Sequence, residues 1–395
     1  MNILIISPVF PPEPVTSALL NYDLALALSK EHNVTVIRQR PSRPMGSNYK
    51  IIRQEFPFTC VTLNSYVYPE SKLWGRLRES YSFGKRSAEY IRRHKDEIDI
   101  IYNDSWALFG YFLSAKACVQ YNIQYMTPIQ DIYPEGLFTK RNYPAIVKKL
   151  ASYLMLPLDK YNQRHACKVR TISKEMADYL SKTRGVPRNN YLVVDNWQND
   201  EDFVYTPVTN NKIVFGYVGS INSHSNTELI IKAFMQANIQ NAELRIFGGG
   251  SHKEQCMQLV KEFNIDNVSF SIIERNKVPK AQSDMSVLVL ALPKGNGALC
   301  LPSKMTSYML SGRPILASVE TSATTRYIAE ANCGLYVEPD NIEALANGFR
   351  AYSNKKLEEL NILGWNGRIF AEKHLSRSAN LPKVVEALIN CKQHG

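Results

Sequence analysis

The stretch SVLVLALPKGNGALCLPSKMTSYMLSGRPILA, residues 286–317, decides the fold. Its first six and last three residues are apolar runs typical of buried strands, and the part from Pro302 predicts a short helix that ends at a glycine. Within that helix Met305, Tyr308 and Met309 recur at helical spacing and should face a sheet. A strand, a helix and a second strand in this order predict a doubly wound α/β domain with a parallel sheet.

Ser303 and Lys304 stand at the start of this predicted helix. A helix N-terminus offers unpaired N–H groups and a partial positive charge, to which a hydroxyl and an ammonium group add. Ligands of open α/β sheets bind where strands end and helices begin. The pattern favours a phosphate-bearing ligand, and the alternative is an ordinary crossover helix with Ser303 as its N-cap.

Length and composition predict two globular domains. A chain of 395 residues exceeds what one hydrophobic core usually supports, and 45% hydrophobic with 21% charged residues is typical of a globular chain. The seven cysteines are scattered and include no C-x-x-C pair, which argues against a zinc site and a disulfide framework and favours reduced thiols in a cytoplasm. We find no apolar run of the ~18 residues that a membrane span needs. The N-terminus reads as a first strand and not as a signal peptide.

The net charge of +11 is unevenly distributed. Residues 1–200 carry 27 Lys and Arg against 18 Asp and Glu, so most of the excess lies in the first half. Nucleic acid and an anionic membrane are the two candidate partners. Basic and apolar residues interleave at 72–93 and at 138–156, which suits helices lying in a membrane interface or, alternatively, solvated helices with their apolar side in the core. Nucleic acid is disfavoured because no compact motif for it is present.

Two copies of a strand–helix–strand pattern divide the chain. The first has strands at 2–7 and 34–37 around a helix at 17–30, and the second begins with the strand Lys212–Val218. Between them Val193–Asp202 is polar and turn-prone. The predicted segments are an N-terminal domain at 1–195, a linker at 196–210, a C-terminal domain at 211–370 and a helix at 371–395 that can cross back to the first domain.

Polar residues that could carry chemistry follow strands of the first half. Thr16 and Ser17 follow a proline-stiffened loop, where they are candidates for N-caps or for ligand contacts. Asp131, with Glu135 four positions on, follows an apolar stretch, and a carboxylate there binds a sugar hydroxyl, acts as a general base, or merely caps the loop. The segment Asn103–Trp106 is a weaker candidate of the same kind. A glycine-rich fingerprint is absent from the first loop, which disfavours a bound dinucleotide cofactor.

Glycines and polar residues also follow three strands of the second half. Gly219–Ser220 and Gly248–Gly249 each come directly after an apolar run, and Arg275 follows Ile273 and Glu274 at the end of another. Glycine lets the backbone approach a ligand closely, although short βα loops use glycine structurally as often. Several such strand ends together with Ser303 and Lys304 favour one ligand site in this half.

The chain resembles the family 4 retaining glycosyltransferases over nearly its whole length. Most specific is the combination of QDIYPEG with PSKMTSYMLSGRP, which looks most like the WbuB-like group of transferases acting on N-acetylated amino-deoxyhexoses in bacterial surface polysaccharide assembly. The other matching motifs are FPPEPVTS, VVDNWQNDEDF, FGYVGS, RIFGGG and CGLYV. The resemblance implies the GT-B fold, two doubly wound Rossmann-like domains facing across a cleft.

The resemblance also implies roles for the candidate residues. The second domain would bind a nucleotide-diphosphate sugar, and the first would hold the acceptor, often a lipid-linked sugar at the inner membrane face. Asp131 would contact the reacting sugars as a catalytic residue, with Glu135 as a second candidate and Lys304 stabilising the diphosphate. The implied donor-binding residues are Thr16, Ser17, Gly219, Ser220, Gly248, Gly249, Arg275, Pro302, Ser303, Lys304 and Ser307.

Two departures from the family pattern concern the charge around the donor. Many members have two glutamates eight residues apart where this chain has Leu299 and Ser307, so the usual ribose-binding carboxylate is missing. The Arg/Lys pair that commonly follows the first glycine loop is also missing, since 221–226 reads INSHSN. The diphosphate charge would then fall largely on Lys304, on helix N-termini and on Arg275.

We therefore expect a retaining transferase that is cytoplasmic and peripheral on the inner face of the membrane. It would use a nucleotide-sugar donor, a lipid-linked saccharide acceptor and an anionic membrane surface, with no nucleic acid, cofactor or metal. Two alternatives stay open: a nucleotide-sugar epimerase of the same fold, which needs no basic membrane face, and an inactive nucleotide-sugar-binding partner of an assembly complex.

Overall fold

The structure is a computed structural model that describes residues 1–43, 49, 55–70, 72–139, 144–209, 212–295 and 301–393. Leu299 and part of the second basic stretch lie outside these residues. The chain forms two compact units. The first comprises Met1–Val194 and Leu381–Gly395, and the second comprises Asp195–Asn380, so that the segment predicted as a linker lies within the second unit.

The first unit is built on a parallel sheet of seven strands in the order β3-β2-β1-β4-β5-β6-β7. Its inner strands are apolar on both faces because helices cover both sides, and Ile3 to Ile6 of the first strand are at most 2% exposed. The strands are β1 (Asn2–Ile6), β2 (Asn33–Arg38), β3 (Thr59–Thr62), β4 (Ile100–Asn103), β5 (Gln124–Ile129), β6 (Lys168–Thr171) and β7 (Tyr191–Val193). The helices are α1 (Thr16–Leu28), α2 (Leu73–Arg93), α3 (Phe109–Gln120), α4 (Glu135–Thr139), α5 (Ala145–His165) and α6 (Lys174–Arg184).

The second unit repeats the architecture with six parallel strands in the order β10-β9-β8-β11-β12-β13. The strands are β8 (Ile213–Val218), β9 (Ala242–Phe247), β10 (Val268–Ser271), β11 (Val287–Ala291), β12 (Ile315–Ser318) and β13 (Gly334–Val337). The helices are α7 (Thr227–Ala237), α8 (Lys253–Glu262), α9 (Val278–Ser283), α10 (Ser303–Leu310), α11 (Ala323–Ala331), α12 (Ile342–Ser353) and α13 (Leu357–His374), and α14 (Arg377–Gln393) ends the chain.

Both sheets reverse their strand order next to their first strand, between β1 and β4 and between β8 and β11. The prediction of two doubly wound α/β domains is thus confirmed. In such sheets the carboxyl ends of the strands at the reversal form the crevice in which ligands bind.

The cysteines correct one expectation. Cys167, directly before β6, and Cys391 in α14 form a disulfide with their Cα atoms 5.8 Å apart, so the prediction of reduced thiols throughout is wrong for this pair. The two residues are 224 positions apart, and the spacing of the cysteines along the chain does not predict which of them pair. Among the described cysteines, Cys60, Cys118, Cys256 and Cys333 are free. Within the described residues no helix is both long and apolar enough to cross a membrane.

Candidate functional site

The glycine loops after β8 and β9 pack directly against each other. Gly219 N donates to the carbonyl of Phe247 at 2.8 Å, and Ile221 N donates to that of Gly249 at 2.9 Å. A Cβ added to Gly248 would collide with the carbonyl oxygen of Gly219, and both glycines have a φ near +150°, which L side chains rarely adopt. The glycines are therefore required for this close approach, while Ser220 and Gly249 remain exposed beside it.

Lys304 of α10 reaches over the first of these loops. A Cβ on Gly219 would collide with Cε of Lys304, so glycine leaves the space that the lysine side chain crosses. The Lys304 ammonium lies 4.1 Å from the centroid of the Tyr217 ring and donates to the Tyr217 hydroxyl, which in turn donates to the carbonyl of Ser220 at 2.7 Å. Burial lowers the pKa of Lys304 to about 8, because desolvation disfavours the charged form.

The buried side of α10 fixes the helix on the sheet. Met305, Tyr308 and Met309 are fully buried, which confirms that this side faces the sheet. The Tyr308 hydroxyl accepts a hydrogen bond from Val218 N at 2.9 Å, so the helix is tied to the end of β8. The alternative of Ser303 as N-cap is wrong, because Pro302 is the N-cap and Ser303 is the exposed first residue of the helix.

Ser307 and Arg275, the other two predicted donor residues of the second unit, differ from this group in burial and in position. Ser307 is buried, with 8% of the residue exposed. Its hydroxyl donates to the carbonyl of Lys304 at 3.0 Å and accepts from Gln282 at 3.1 Å. Arg275 is exposed in a short turn after β10, which is the edge strand of the sheet. Lys304, Ser303, Ser220 and the two glycine loops therefore form the core of the candidate site.

In the first unit the structure distinguishes the two candidate carboxylates. Asp131 is exposed just beyond the end of β5. Beside it burial, followed by the charge of Asp131, raises the pKa of Tyr133 to about 12. Glu135 instead forms a bidentate ion pair with the fully buried side chain of Arg184, at 2.7 and 2.8 Å.

The Glu135 ion pair belongs to a larger buried group. The Arg184 guanidinium also binds Asp159 at 2.6 Å, and the Tyr179 hydroxyl donates to Glu135 at 2.9 Å. Although burial raises the pKa of Glu135, the hydrogen bonds from Arg184 bring it below its ordinary value. Proton uptake by Glu135 would disrupt this pair, so of the two carboxylates the geometry favours Asp131 for chemistry.

Asp104, the weaker candidate after β4, is fixed by side-chain hydrogen bonds that the sequence does not predict. It is 8% exposed, and its carboxylate accepts from Asn21 at 2.7 Å and from the Tyr111 hydroxyl at 3.0 Å. Burial raises its pKa to about 6. Asn21 also donates to Ser7 at 2.8 Å, so this network fixes the ends of β1 and β4 against α1.

Thr16 and Ser17 open helix α1, and the expectation that one of them caps it is wrong. The N-cap is Val15, whose side chain has no acceptor atom. Ser17 instead lines a cavity of about 790 Å³ in the first unit, together with residues from α2, α5 and the turn before α3. This cavity has no signal in the sequence, because its lining comes from six separate segments, within 9–17, at 43, and within 72–80, 106–108, 133–137 and 147–155.

Two family models match the chain. The model described as Glycosyl transferases group 1 matches residues 198–370, and the model described as Glycosyltransferase Family 4 matches residues 19–201. The chain is of the GT-B glycosyltransferase type. The finer placement in the WbuB-like group stays a prediction.

One curated relative of this GT-B chain is the probable glycosyltransferase WbjE of Pseudomonas aeruginosa. The two are 24% identical over 237 residues. The match covers 55% of this chain and only 57% of the length of WbjE, so the activity of the whole protein is a matter for proposal.

Several solved structures share the fold across essentially the whole GT-B chain. Sucrose-phosphate synthase from Thermosynechococcus elongatus has a TM-score of 0.78 at 16% identity, covering 100% of both chains. Alr3699/HepE of Anabaena, crystallised with UDP-glucose, has a TM-score of 0.69 at 13% identity, covering 99% of this chain and 100% of that one. WaaG, a glycosyltransferase involved in lipopolysaccharide biosynthesis, has a TM-score of 0.67 at 12% identity, covering 98% and 99%.

Proposed function

We propose that this protein transfers a sugar from a nucleotide-diphosphate sugar to a lipid-linked acceptor during assembly of a bacterial surface polysaccharide, with retention of anomeric configuration. The sugar is an N-acetylated amino-deoxyhexose on the resemblance to the WbuB-like group. The observation that carries the proposal is the position of Lys304, a half-buried ammonium at the N-terminus of α10 beside two touching glycine loops.

The donor half of the proposal rests on the electrostatics of that group. Lys304 and the helix N-terminus supply positive charge, and Ser220 and Gly249 are exposed beside them, after the carboxyl ends of β8 and β9. A nucleotide diphosphate needs this combination. The neighbour crystallised with UDP-glucose supports the same class of donor.

The chemical step is the exchange of one bond at the anomeric carbon. The bond from that carbon to the diphosphate oxygen breaks as a bond to the acceptor oxygen forms, the nucleoside diphosphate leaves with the bonding electrons, and the acceptor hydroxyl gives its proton to the Asp131 carboxylate. Lys304 stabilises the charge that develops on the departing diphosphate, which is how fixed cations accelerate such a transfer. Asp131 is the residue we assign to the reacting sugars, because it is an exposed carboxylate at a strand end.

The membrane half of the proposal rests on exposed apolar residues in the first unit. Trp74 at the start of α2 is 83% exposed, and Leu150, Tyr153 and Leu154 of α5 are 61 to 77% exposed. Apolar patches of this kind on an otherwise polar surface mark an interaction site. Lys148 and Lys149 directly precede Leu150 in the sequence of α5, which suits the interface of an anionic membrane.

The first experiment is a thermal-shift measurement with uridine, guanosine, thymidine and adenosine diphosphate sugars. Wild type is compared with Lys304→Ala and with Lys261→Ala, an exposed lysine on α8 of the same unit, as the matched control. A ligand that binds only the folded state raises the melting temperature. We expect one nucleotide sugar to raise it in wild type and in Lys261→Ala but not in Lys304→Ala.

A transfer assay with the donor so identified separates the alternatives. An epimerase would convert the free nucleotide sugar without acceptor, and an inactive partner would bind the donor and neither transfer nor hydrolyse it. Absence of any shift with all four nucleotides would contradict the donor site.

A further inference from the structure

The cavity of about 790 Å³ in the first unit combines cations with an apolar wall. Its basic lining comes from Arg43, Lys72 and Arg76, and none of the described residues that line it is acidic. The remaining lining is mostly apolar or aromatic and includes Trp106, Tyr133 and residues of α5. A cavity of this composition fits a ligand that joins an anionic group to a hydrocarbon group.

The two arginines of the cavity are fixed before any ligand arrives. Glu79, whose side chain is 1% exposed, binds Arg43 at 2.6 Å and Arg76 at 3.2 Å without itself lining the cavity. The Arg43 guanidinium stacks on the Trp106 ring with 4.4 Å to its centroid, and that of Arg76 lies 5.6 Å from the same centroid. Binding an anion therefore requires little reordering of these side chains.

One hydrogen-bond donor of Arg43, its Nε–H group, is unpaired among the described residues. The residue is 8% exposed, and its Nε atom is buried. A buried unpaired donor on a charged group is costly, so the Arg43 guanidinium retains unused hydrogen-bonding capacity beside the cavity that this residue lines. Lys72 adds a third cation at the rim, where its side chain is 76% exposed and its ammonium pairs with the Glu70 carboxylate at 2.7 Å.

The apolar wall of the cavity continues onto the protein surface. Val147, Ala151 and Met155 of α5 line the cavity, and the adjoining apolar residues of that helix face solvent. The exposed residues of α5 share one helical face, with exposed fractions of 43 to 77%: Ile146, Val147, Leu150, Tyr153 and Leu154. Leu73 and Trp74 of α2 extend the same rim and are 36% and 83% exposed.

We propose that this cavity is the acceptor's phosphate subsite, which binds the phosphate or diphosphate that joins the acceptor sugar to its lipid. Arg43, Arg76 and Lys72 hold the anionic linkage, and the apolar face of α5 lies along the lipid chain as it enters the bilayer. Naming this ligand the acceptor rests on the proposed function. The choice of a lipid-linked over a free polysaccharide acceptor rests on the continuity between the cations and the exposed apolar face.

The test is calorimetric titration of the full chain with farnesyl diphosphate, farnesol and inorganic diphosphate. Farnesyl diphosphate carries both the anionic and the apolar group, so we expect it to bind at least tenfold tighter than either of the other two. The Arg76→Gln change removes one charge-assisted contact and should weaken farnesyl diphosphate about tenfold. Arg92→Gln, an exposed arginine near the end of α2, is the matched control and should bind as wild type does.

Further variants distinguish the possible failures. Lys72→Gln alters an exposed residue and serves if Arg76→Gln fails to fold; it too should weaken binding. The inference is overturned if both variants bind farnesyl diphosphate as wild type does, or if inorganic diphosphate binds as tightly as farnesyl diphosphate. It is also overturned if Lys304→Ala abolishes binding of farnesyl diphosphate, because that would place the probe in the second unit. A different result would contradict only the proposed function: no nucleotide sugar binds, yet Arg76→Gln still weakens the binding of farnesyl diphosphate. The cavity would then remain a binding site for a lipid phosphate.

Discussion

Single residues decide the electrostatics of the candidate donor site, and Lys304 is the clearest case. Its ammonium lies against the Tyr217 ring and is largely removed from water, which lowers its pKa to about 8. The lysine is thus charged in the free protein at neutral pH and loses its proton there a little above about pH 8. The sequence predicts this residue and its anion, while the change in its pKa comes from burial that only the folded chain produces.

The pH dependence of nucleotide-sugar binding follows from that pKa. Below about pH 8 Lys304 is protonated, so affinity should be constant; above it the free protein loses the proton and the dissociation constant should rise towards tenfold per pH unit. Isothermal titration between pH 6.5 and 9.5, an interval chosen around that value, measures it. Lys304→Arg keeps its charge throughout this range and should flatten the profile. An unchanged rise in Lys304→Arg would assign the titration to another group.

Asp131 and Glu135 should differ in what their substitution affects. Asp131→Asn, at an exposed position, should leave the melting temperature and donor affinity near wild type and lower transfer about 100-fold. Glu135→Gln loses charge-assisted bonds to Arg184 and should lower the free energy of unfolding by about 2 kcal/mol. Urea unfolding and a transfer rate per folded molecule separate the two effects. A stable Glu135→Gln protein without transfer would reverse our assignment.

At the scale of elements, α5 shows what the local sequence pattern predicts and what only the packing of the helix determines. Its sequence predicts an amphipathic helix with lysines, but the pattern alone does not tell whether the apolar side faces the core or solvent. The structure leaves that side exposed over the first half of the helix, with Leu150 at 61% and Leu154 at 63%. The membrane interpretation depends on this exposure.

Replacing both leucines of α5 should weaken membrane binding without unfolding the protein. The Leu150→Gln/Leu154→Gln double variant removes apolar area from the exposed face and should lower partitioning about 30-fold, at roughly 1 kcal/mol for each leucine. Flotation with vesicles of phosphatidylethanolamine and phosphatidylglycerol gives the bound fraction. Ile362→Gln on α13, at a residue 60% exposed in the second unit, is the control and should float as wild type does. Equal flotation of wild type, the double variant and the control would show that α5 does not bind the membrane.

At the scale of the whole molecule, the chain ends in the first unit and is linked to it covalently. The disulfide between Cys167 and Cys391 closes a loop of 224 residues that contains the entire second unit. A crosslink across so long a loop reduces the freedom of the unfolded chain. It therefore contributes to stability wherever the bond is formed.

Removal of this disulfide should lower the melting temperature in a recognisable way. Cys391→Ser should destabilise the protein by about 2–4 kcal/mol, and a reducing agent should do the same to wild type. Scanning calorimetry of both proteins, with and without dithiothreitol, tests this. Dithiothreitol should leave the melting temperature of Cys391→Ser unchanged; a further decrease there, or none in wild type, would argue that the bond is not formed.

The amino-acid sequence by itself determined the two α/β domains, several of the strands that carry them and the residues around Lys304. Apolar periodicity is a local property, and parallel strands place their carboxyl ends at one edge, so residues after successive strands meet without further information. Only the tertiary structure decided the pairing of Glu135 with Arg184, the disulfide, and the cavity where Arg43 and Arg76 share Glu79 and Trp106. These contacts join residues far apart in the chain, and their closeness depends on how helices pack on the sheet, which no local pattern records.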